Sequence, residues 1–557
     1  MPPDNLPENN NEQPIQPLES STPYRPPETA SLPTDSNPVA TAPEELPKKK
    51  RSKFAIVILV LVLVIASTST AVFYARHKKL QTTSTKKDIP YLTYGSDVSA
   101  DLTRAYPTEV VDTDTTTQVN TQLFEGLVRY QQITKIVPLL AASWSNPDDS
   151  TWLFNLQHGI KFHDGRTMTA DDVKYSLDYA VAHQNDNNGA TLRSLASTIK
   201  QVEVVNPYQV KVITDGPDPI LLNRLAYLYI LDSKAKVGDY NAGTGSYTVK
   251  PGSTPTSNVL DLVAYNSYWG GHIYTKQVHI QVSSNEQLTT DTNNGKFDIA
   301  NDFTNEQLAK IKLPYKPLIS HDLGITFIGL NTLKAGSPLQ SLAARQAASY
   351  ALDIPAILKA GSINGIPSNQ LIPSSIPGHD PSIKSILYNP AKAKQLLTGV
   401  PNVSTPLTLS YPTGDEGQVA EIAKELNAVG FNVKTASVAD LDSLVSMGFG
   451  GKTDMFYVAD STSTLDGLAL FNDIVLGAIP ADYSNSLVPK LVEQAGTTIN
   501  PTARIAILQK ISQQVAKDIP DIPLYTQTRT GTLTKPYHVE VDIPSIEAGI
   551  YFWQTYQ

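Results

Sequence analysis

Nine histidines and not one cysteine limit the chemistry open to this 557-residue chain. Without cysteine there is no thiol nucleophile, no disulfide, no thiolate-held zinc or iron–sulfur cluster and no S-acyl anchor. The histidines are scattered, and those with an acid beside them are His163-Asp164, His321-Asp322 and His379-Asp380. Neighbours on an extended chain point to opposite faces, so none of these pairs makes a metal site by itself. Each reads first as a turn or surface residue. The phosphate-cradling G-x-x-x-x-G-K-[ST], the zinc-binding H-E-x-x-H and the nucleophile elbow G-x-S-x-G are all absent. Neither a cofactor nor a metal is expected, and catalysis would need a triad assembled from distant residues.

The elements that would position a site are strands rich in Val, Ile and Tyr alternating with helical stretches. Strands are expected at 202–205, 209–213, 278–282 and 326–330, and helices at 170–182, 342–352, 391–397, 419–429 and 503–517. This alternation reads as α/β. Thr169 suits an N-cap, Asp171 and Asp172 sit near the positive end of the helix dipole, and Val173, Leu177 and Ala180 share one face. Trp144, Trp152, Phe154 and Phe162 read as core residues on one buried sheet face. Gly243 and Gly245 suit a backbone that needs positive φ or close approach. No period of 20–50 residues recurs, which argues against a solenoid or propeller.

The composition is strongly segmented. Residues 1–47 hold twelve prolines, eight acids and one base, and read as a disordered acidic tail, either bare or carrying a short docking motif. Residues 48–79 read as a transmembrane anchor. Five bases precede an uncharged run at 54–75, and three follow it. At a rise of ~1.5 Å per residue that run reaches roughly 33 Å, enough to cross a hydrocarbon core. The bases favour a cytoplasmic N-terminus, with the larger C-terminal part extracytoplasmic. A cleavable signal peptide is the competing reading, with Ser69-Thr70-Ala71 as its cleavage site; the long preceding region and the apolar residues that follow disfavour it. The net charge of −9 divides into −7 in the tail, +10 around the span with Lys86 and Lys87, and −12 in 88–557. Nucleic acid is not expected as a partner of so acidic a chain.

One long constellation is specific. It runs from Pro138-Leu139-Leu140-Ala141-Ala142-Ser143-Trp144 through Thr151-Trp152-Leu153-Phe154 to Gly159-Ile160-Lys161-Phe162-His163-Asp164-Gly165-Arg166 and Thr169-Ala170-Asp171-Asp172-Val173. With it go Leu123-Phe124-Glu125-Gly126-Leu127, Gly243-Thr244-Gly245-Ser246-Tyr247, Asn266-Ser267-Tyr268-Trp269-Gly270-Gly271, Arg345-Gln346-Ala347-Ala348 and Ile519-Pro520-Asp521-Ile522-Pro523-Leu524-Tyr525. Together they resemble the family 5 extracellular solute-binding proteins, the peptide-binding subunits of ABC importers, across roughly 90–557. The resemblance implies a two-lobed α/β fold like that of the large type II periplasmic peptide binders, behind the N-terminal membrane helix and disordered tail. A linker would occupy 80–90, lobe one 91–320, lobe two 321–524 and a return to lobe one 525–557.

Function would then follow from hinge closure on a ligand held between the lobes, most simply an oligopeptide, with no enzymatic step. The resemblance assigns the ligand's α-ammonium to Asp460. Phe456, Tyr457, Val458 and Ala459 would offer backbone groups to an extended peptide, and Thr115, Thr116 and Thr117 an opposing strand in lobe one. The stretch 411–418 has no Arg for a dipeptide carboxylate, so longer peptides, sugars, metal chelates and haem stay open. No histidine falls in the aligned cleft segments, which gives little support to a His-bound nickel chelate. Partners would be ABC permease subunits and the membrane itself, the 54–75 helix standing in for the lipidated cysteine that is missing here. A ligand-sensing or adhesin ectodomain is the alternative use of the same fold.

Overall fold

The computed structural model describes residues 86–557 apart from 98–100, 108–113, 132–134, 187–189, 313, 321–323, 450–452, 462–463, 476–483, 528, 540 and 544–548. The expected tail at 1–47, the anchor at 48–79 and the start of the linker lie outside the described residues. Among the described residues no helix is long and apolar enough to cross a membrane.

A seven-stranded sheet organises the first lobe. Its order is Lys316–Ser320, Arg529–Thr534, Ile299–Ala300, Leu92–Ser96, Gln277–Val282, Val259–Ala264 and Tyr247–Val249. Leu92–Ser96 runs parallel to both neighbours, Gln277–Val282 and Ile299–Ala300. Alternation explains a strand such as Gln277–Val282, in which Val278, Ile280 and Val282 are buried and their neighbours half-exposed. The helix Asn285–Asn293 then crosses to Ile299–Ala300, its first turn capped by Ser284, whose hydroxyl accepts from the Gln287 N–H.

An antiparallel four-stranded sheet, Ala141–Asp148, Thr151–Leu156, Gln209–Thr214 and Ile199–Asn206, forms a further layer. Trp152, Phe154 and Phe162 are buried in its core as expected, and Trp144 is half-buried against it. The helix Ala170–His183 starts at the expected cap. Thr169 and Asp172 form a capping box, and the Thr169 N–H donates to Asp172 Oδ2 at 2.9 Å.

The second lobe is built on six strands in the order Gly365–Pro367, Asp521–Gln527, Gly324–Leu330, Met455–Ser461, Pro406–Pro412 and Asn432–Val438. Every residue of Gly324–Leu330 is buried, as a strand covered on both faces requires. Ile328, Leu330, Met455 and Tyr457 face one core; Ile325, Phe327, Phe456 and Val458 face the other. Gly329 has no side chain because the Phe456 ring fills that space; a Cβ there would lie 1.9 Å from it.

The chain passes between the two large sheets twice, between Ser320 and Gly324 and between Gln527 and Arg529. The strand containing Tyr525 therefore belongs to the second lobe's sheet, and the first lobe is re-entered with Arg529–Thr534.

The second lobe's core also encloses a carboxyl without donors. Asp521, opposite Gly329, is 2% exposed, and neither carboxylate oxygen has a hydrogen-bond partner. Burial pushes its carboxyl well above the usual 3.8. A folded-state value above the unfolded one means that stability is full below the unfolded value and is lost as pH rises toward the folded value. Asp521→Leu should therefore stabilise the protein at pH 7 by about 1–3 kcal/mol, with a smaller gain at pH 4. Denaturant unfolding at both pH values checks this, and a gain independent of pH would assign the effect to packing alone.

Candidate functional site

In open α/β sheets, ligands lie beyond the carboxyl ends of parallel strands where the strand order reverses. Both large sheets have such a point. In the first lobe it is Leu92–Ser96, parallel to strands on either side. In the second it is Pro406–Pro412, parallel to Asn432–Val438 and to Met455–Ser461. The crossings bring these ends together. Asp460 pairs in register with Ile325, just past the first crossing. Ile299–Ala300 pairs with Arg529–Thr534, just past the second, and runs directly into Asn301 and Asp302.

The segment ending at Asp460 has one satisfied and one open edge. Gly324–Leu330 pairs with all seven of its residues, whereas Pro406–Pro412 meets it only at Met455 and Phe456. From Tyr457 to Ala459 the second edge meets no strand among the described residues, which leaves room for an extended chain. The side chains divide accordingly. Phe456, Tyr457 and Val458 are buried in the two cores, Ala459 is exposed and Asp460 half-buried. Any ligand contact from the first three is thus through backbone. The Tyr457 and Tyr525 hydroxyls meet at 2.5 Å, bracing the strand against its neighbour but one. Asp460 Oδ1 accepts from the Ser461 N–H at 2.8 Å.

Thr115, Thr116 and Thr117 do not form the expected strand. They lie in the first turns of the helix Asp114–Leu123. Three threonines favour a strand locally, but tertiary packing overrides that preference: Thr115, Val119 and Leu123 recur every four residues and are all buried. Gln118 and Gln122 lie on the same helix. Gln118 Nε2 donates to the Ile550 carbonyl at 2.6 Å and Oε1 accepts the Ile550 N–H at 2.9 Å, while Gln122 Nε2 reaches the same carbonyl at 2.9 Å. The Thr115 hydroxyl bonds Ser96, and Ser96 Oγ donates to Asp302 Oδ2 at 2.5 Å. This chain links the end of the central strand, the start of the helix and the first residues past Ala300. Asp302 holds a left-handed backbone, φ 69°. Ser96 and Asp302 escaped sequence reasoning; the only signal was an Asn-Asp pair closing a short apolar strand.

Glu125 is the most heavily satisfied group nearby. Buried in the first lobe, it accepts from Thr244 Oγ1 at 2.8 Å, Trp269 Nε1 at 2.8 Å and Tyr268 OH at 2.9 Å. Three motifs read separately in the sequence therefore converge on one carboxyl. Burial raises that carboxyl to about 7, against the pull of its bonds from Trp269, Thr244 and Tyr268. Gly243 and Gly245 are explained by close approach: a Cβ would lie 2.0 Å and 2.4 Å from the Leu123 and Gln122 carbonyl oxygens.

Past Asp460 the chain is held from both lobes. The Thr464 carbonyl accepts from Tyr130 OH at 3.0 Å and from Asn223 Nδ2 at 2.7 Å. Two residues on, Asp466 forms a bidentate pair with Arg504, at 2.5 and 2.7 Å, with both side chains buried. Arg504 Nε also donates to the Ala495 carbonyl at 2.9 Å. Among the described residues no group of three His, Asp or Glu could hold a metal ion.

Residues 135–479 match the family described as bacterial extracellular solute-binding proteins, family 5 middle. The glutathione-binding protein GsiB of Escherichia coli strain K12 is 27% identical over 461 residues, covering 76% of this chain and 87% of that protein. Among solved structures, HbpA2 from Haemophilus parasuis gives a TM-score of 0.72 at 19% identity, covering 83% of this chain and 99% of that one. An unliganded open form of the periplasmic murein tripeptide-binding protein MppA gives 0.71 at 22% identity, covering 85% and 98%. At such identities the structures establish the two-lobed fold alone.

Two measurements test this geometry. Trp269 fluorescence should titrate with a midpoint of about 7 and lose that transition in Glu125→Gln; the same curve in both proteins would detach the titration from Glu125. Arg504→Ala leaves Asp466 as a buried carboxylate without its guanidinium and should cost about 3–5 kcal/mol in denaturant unfolding, with Arg504→Lys between it and the parent.

Proposed function

The chain belongs to the family 5 bacterial extracellular solute-binding proteins, and from that premise we propose that it is the receptor of an ABC importer that captures short peptides between its lobes. One observation carries the peptide reading. Among the described residues a strand edge that meets no strand runs from Tyr457 to Ala459, and a carboxylate, Asp460, follows it beside the interlobe crossings. Such an edge reads a peptide backbone without reading its side chains, and a carboxylate at its end receives the α-ammonium. A relative named for glutathione and a structural neighbour named for a murein tripeptide, both peptides, support the same class. The ligand would favour the closed state by touching both lobes, and the closed form would dock on permease subunits. No bond needs to be made or broken.

The same proposal gives the 54–75 segment its place. It would be an uncleaved anchor, the N-terminal tail inside and the binding domain outside, tethering the receptor near its permease and raising its effective concentration. Protease added to intact cells should then remove the C-terminal domain and spare the tail.

Isothermal titration of the full chain in detergent with tripeptides tests the ligand assignment. Asp460→Asn should weaken binding about 10- to 100-fold, and N-acetylation of the peptide should cost the same factor. Binding indifferent to acetylation would sink the assignment.

A further inference from the structure

The parallel strands of the first lobe have ends of opposite character. At their carboxyl ends Leu92–Ser96 runs on into Asp97, and Ile299–Ala300 into Asn301 and Asp302. Their amino ends form a pole rich in lysine. Three of its lysines are matched by acids: Lys276 Nζ lies 2.9 Å from Asp88, Lys296 Nζ 2.6 Å from Asp291 and Lys535 Nζ 3.0 Å from Asp298. Lys86, Lys87, Lys312 and Lys316 are exposed, and none of them forms an ion pair among the described residues. A carboxylate at Gln557, whose backbone pairs with that of Lys87, offsets one of the four. This pole is thus positive in a chain of net charge −9.

The strand registers set these lysines along one end of the sheet. Lys316 lies opposite Thr534, and Thr534 opposite Ile299, the first residue of its strand. Leu92 begins the next strand, shortly after Lys86 and Lys87. The Lys312 N–H donates to Asn293 Oδ1 at 2.8 Å, at the end of the helix Asn285–Asn293 that leads to Ile299, so Lys312 joins the same pole. Lys86 Nζ lies 4.6 Å from the Tyr556 ring centre and 5.2 Å from that of Tyr274, and the rings leave its charge in place. Lysine beside tyrosine is the composition of a surface that meets lipid headgroups. The chain preceding Lys86 enters the domain here too, where the Ile89 N–H donates to the Tyr274 carbonyl at 2.9 Å. Ten residues separate Lys86 from the uncharged run at 54–75, at most about 36 Å of extended chain.

We infer that this pole is a membrane-contact surface, resting on anionic phospholipid headgroups through Lys86, Lys87, Lys312 and Lys316. The inference rests on the anchor proposed for 54–75. Each lysine near such a surface is worth about fivefold in partition, and the attraction acts within a Debye length, about 8 Å at physiological salt. With the pole seated, the carboxyl ends of the parallel strands point away from the bilayer, so the cleft is open to arriving ligand.

Because the chain has no cysteine, a nitroxide can be attached at one chosen position of the full chain in lipid nanodiscs. Asn294→Cys marks the pole and Glu286→Cys the other end of the same helix; both positions are exposed. They lie roughly 12 Å apart along the helix axis. Nickel chelated on lipid headgroups relaxes a nitroxide that comes near it. In discs of phosphatidylcholine mixed with phosphatidylglycerol, the label at 294 should relax about threefold faster than the label at 286, since their separation exceeds a Debye length. In phosphatidylcholine alone, or with Lys86, Lys87, Lys312 and Lys316 all changed to Gln, the ratio should drop toward one. Equal relaxation at the two positions in anionic discs, or a ratio that ignores lipid charge, overturns the inference and leaves the anchor standing. If the chain does not copurify with the discs, the anchor reading falls and this inference with it. The two lipid compositions decide the matter even if the fourfold variant fails to fold.

Discussion

A carboxylate taken out of water must be surrounded by donors, and Glu125 meets that demand with three of them drawn from distant parts of the chain. Much of the first lobe is arranged around this requirement. Thr244 can reach the carboxyl only because the glycines on either side let the backbone lie directly against the end of the helix Asp114–Leu123. Tyr268 and Trp269 arrive from the turn after the Val259–Ala264 strand. The helix end is thereby pinned, and its other end is tied through Thr115 to Ser96 at the mouth of the central strand. A helix held at both ends is a fixed element of the first lobe.

The second lobe is held by a different device. A buried guanidinium, Arg504, grips Asp466 and the Ala495 carbonyl, so the chain leaving the Asp460 strand has a fixed direction. Buried ion pairs of this kind add little net stability over apolar packing, but losing one partner is costly. Asp521, a few residues before the second crossing, is the contrasting case of a buried carboxyl left without donors.

The motif string was legible in the sequence because each motif answers a strict local demand: an N-cap at Thr169, close backbone approach at Gly243 and Gly245, alternating core aromatics at Trp152 and Phe154. What the motifs did together was not legible. Glu125, Thr244 and Trp269 are far apart in sequence, and no periodicity links them. Thr115–Thr117 misled for a physical reason, since β-branched residues favour strands only when their surroundings do, and here Gln118 and Gln122 find partners at Ile550 that a helix alone can reach. The half-burial of Asp460 and the open edge beside it depend on where Pro406–Pro412 diverges from its neighbour, which no local pattern records.

The shared acceptor at Thr464 has a kinetic consequence. Tyr130 comes from a hairpin and Asn223 from a short helix, yet both donate to one oxygen atom. Parting the lobes has to break both bonds. Each neutral bond is worth only about 1 kcal/mol against water, so the pair slows separation without preventing it. An empty receptor clasped here would let go on its own, and the dwell time of a loaded one would be set by its cargo.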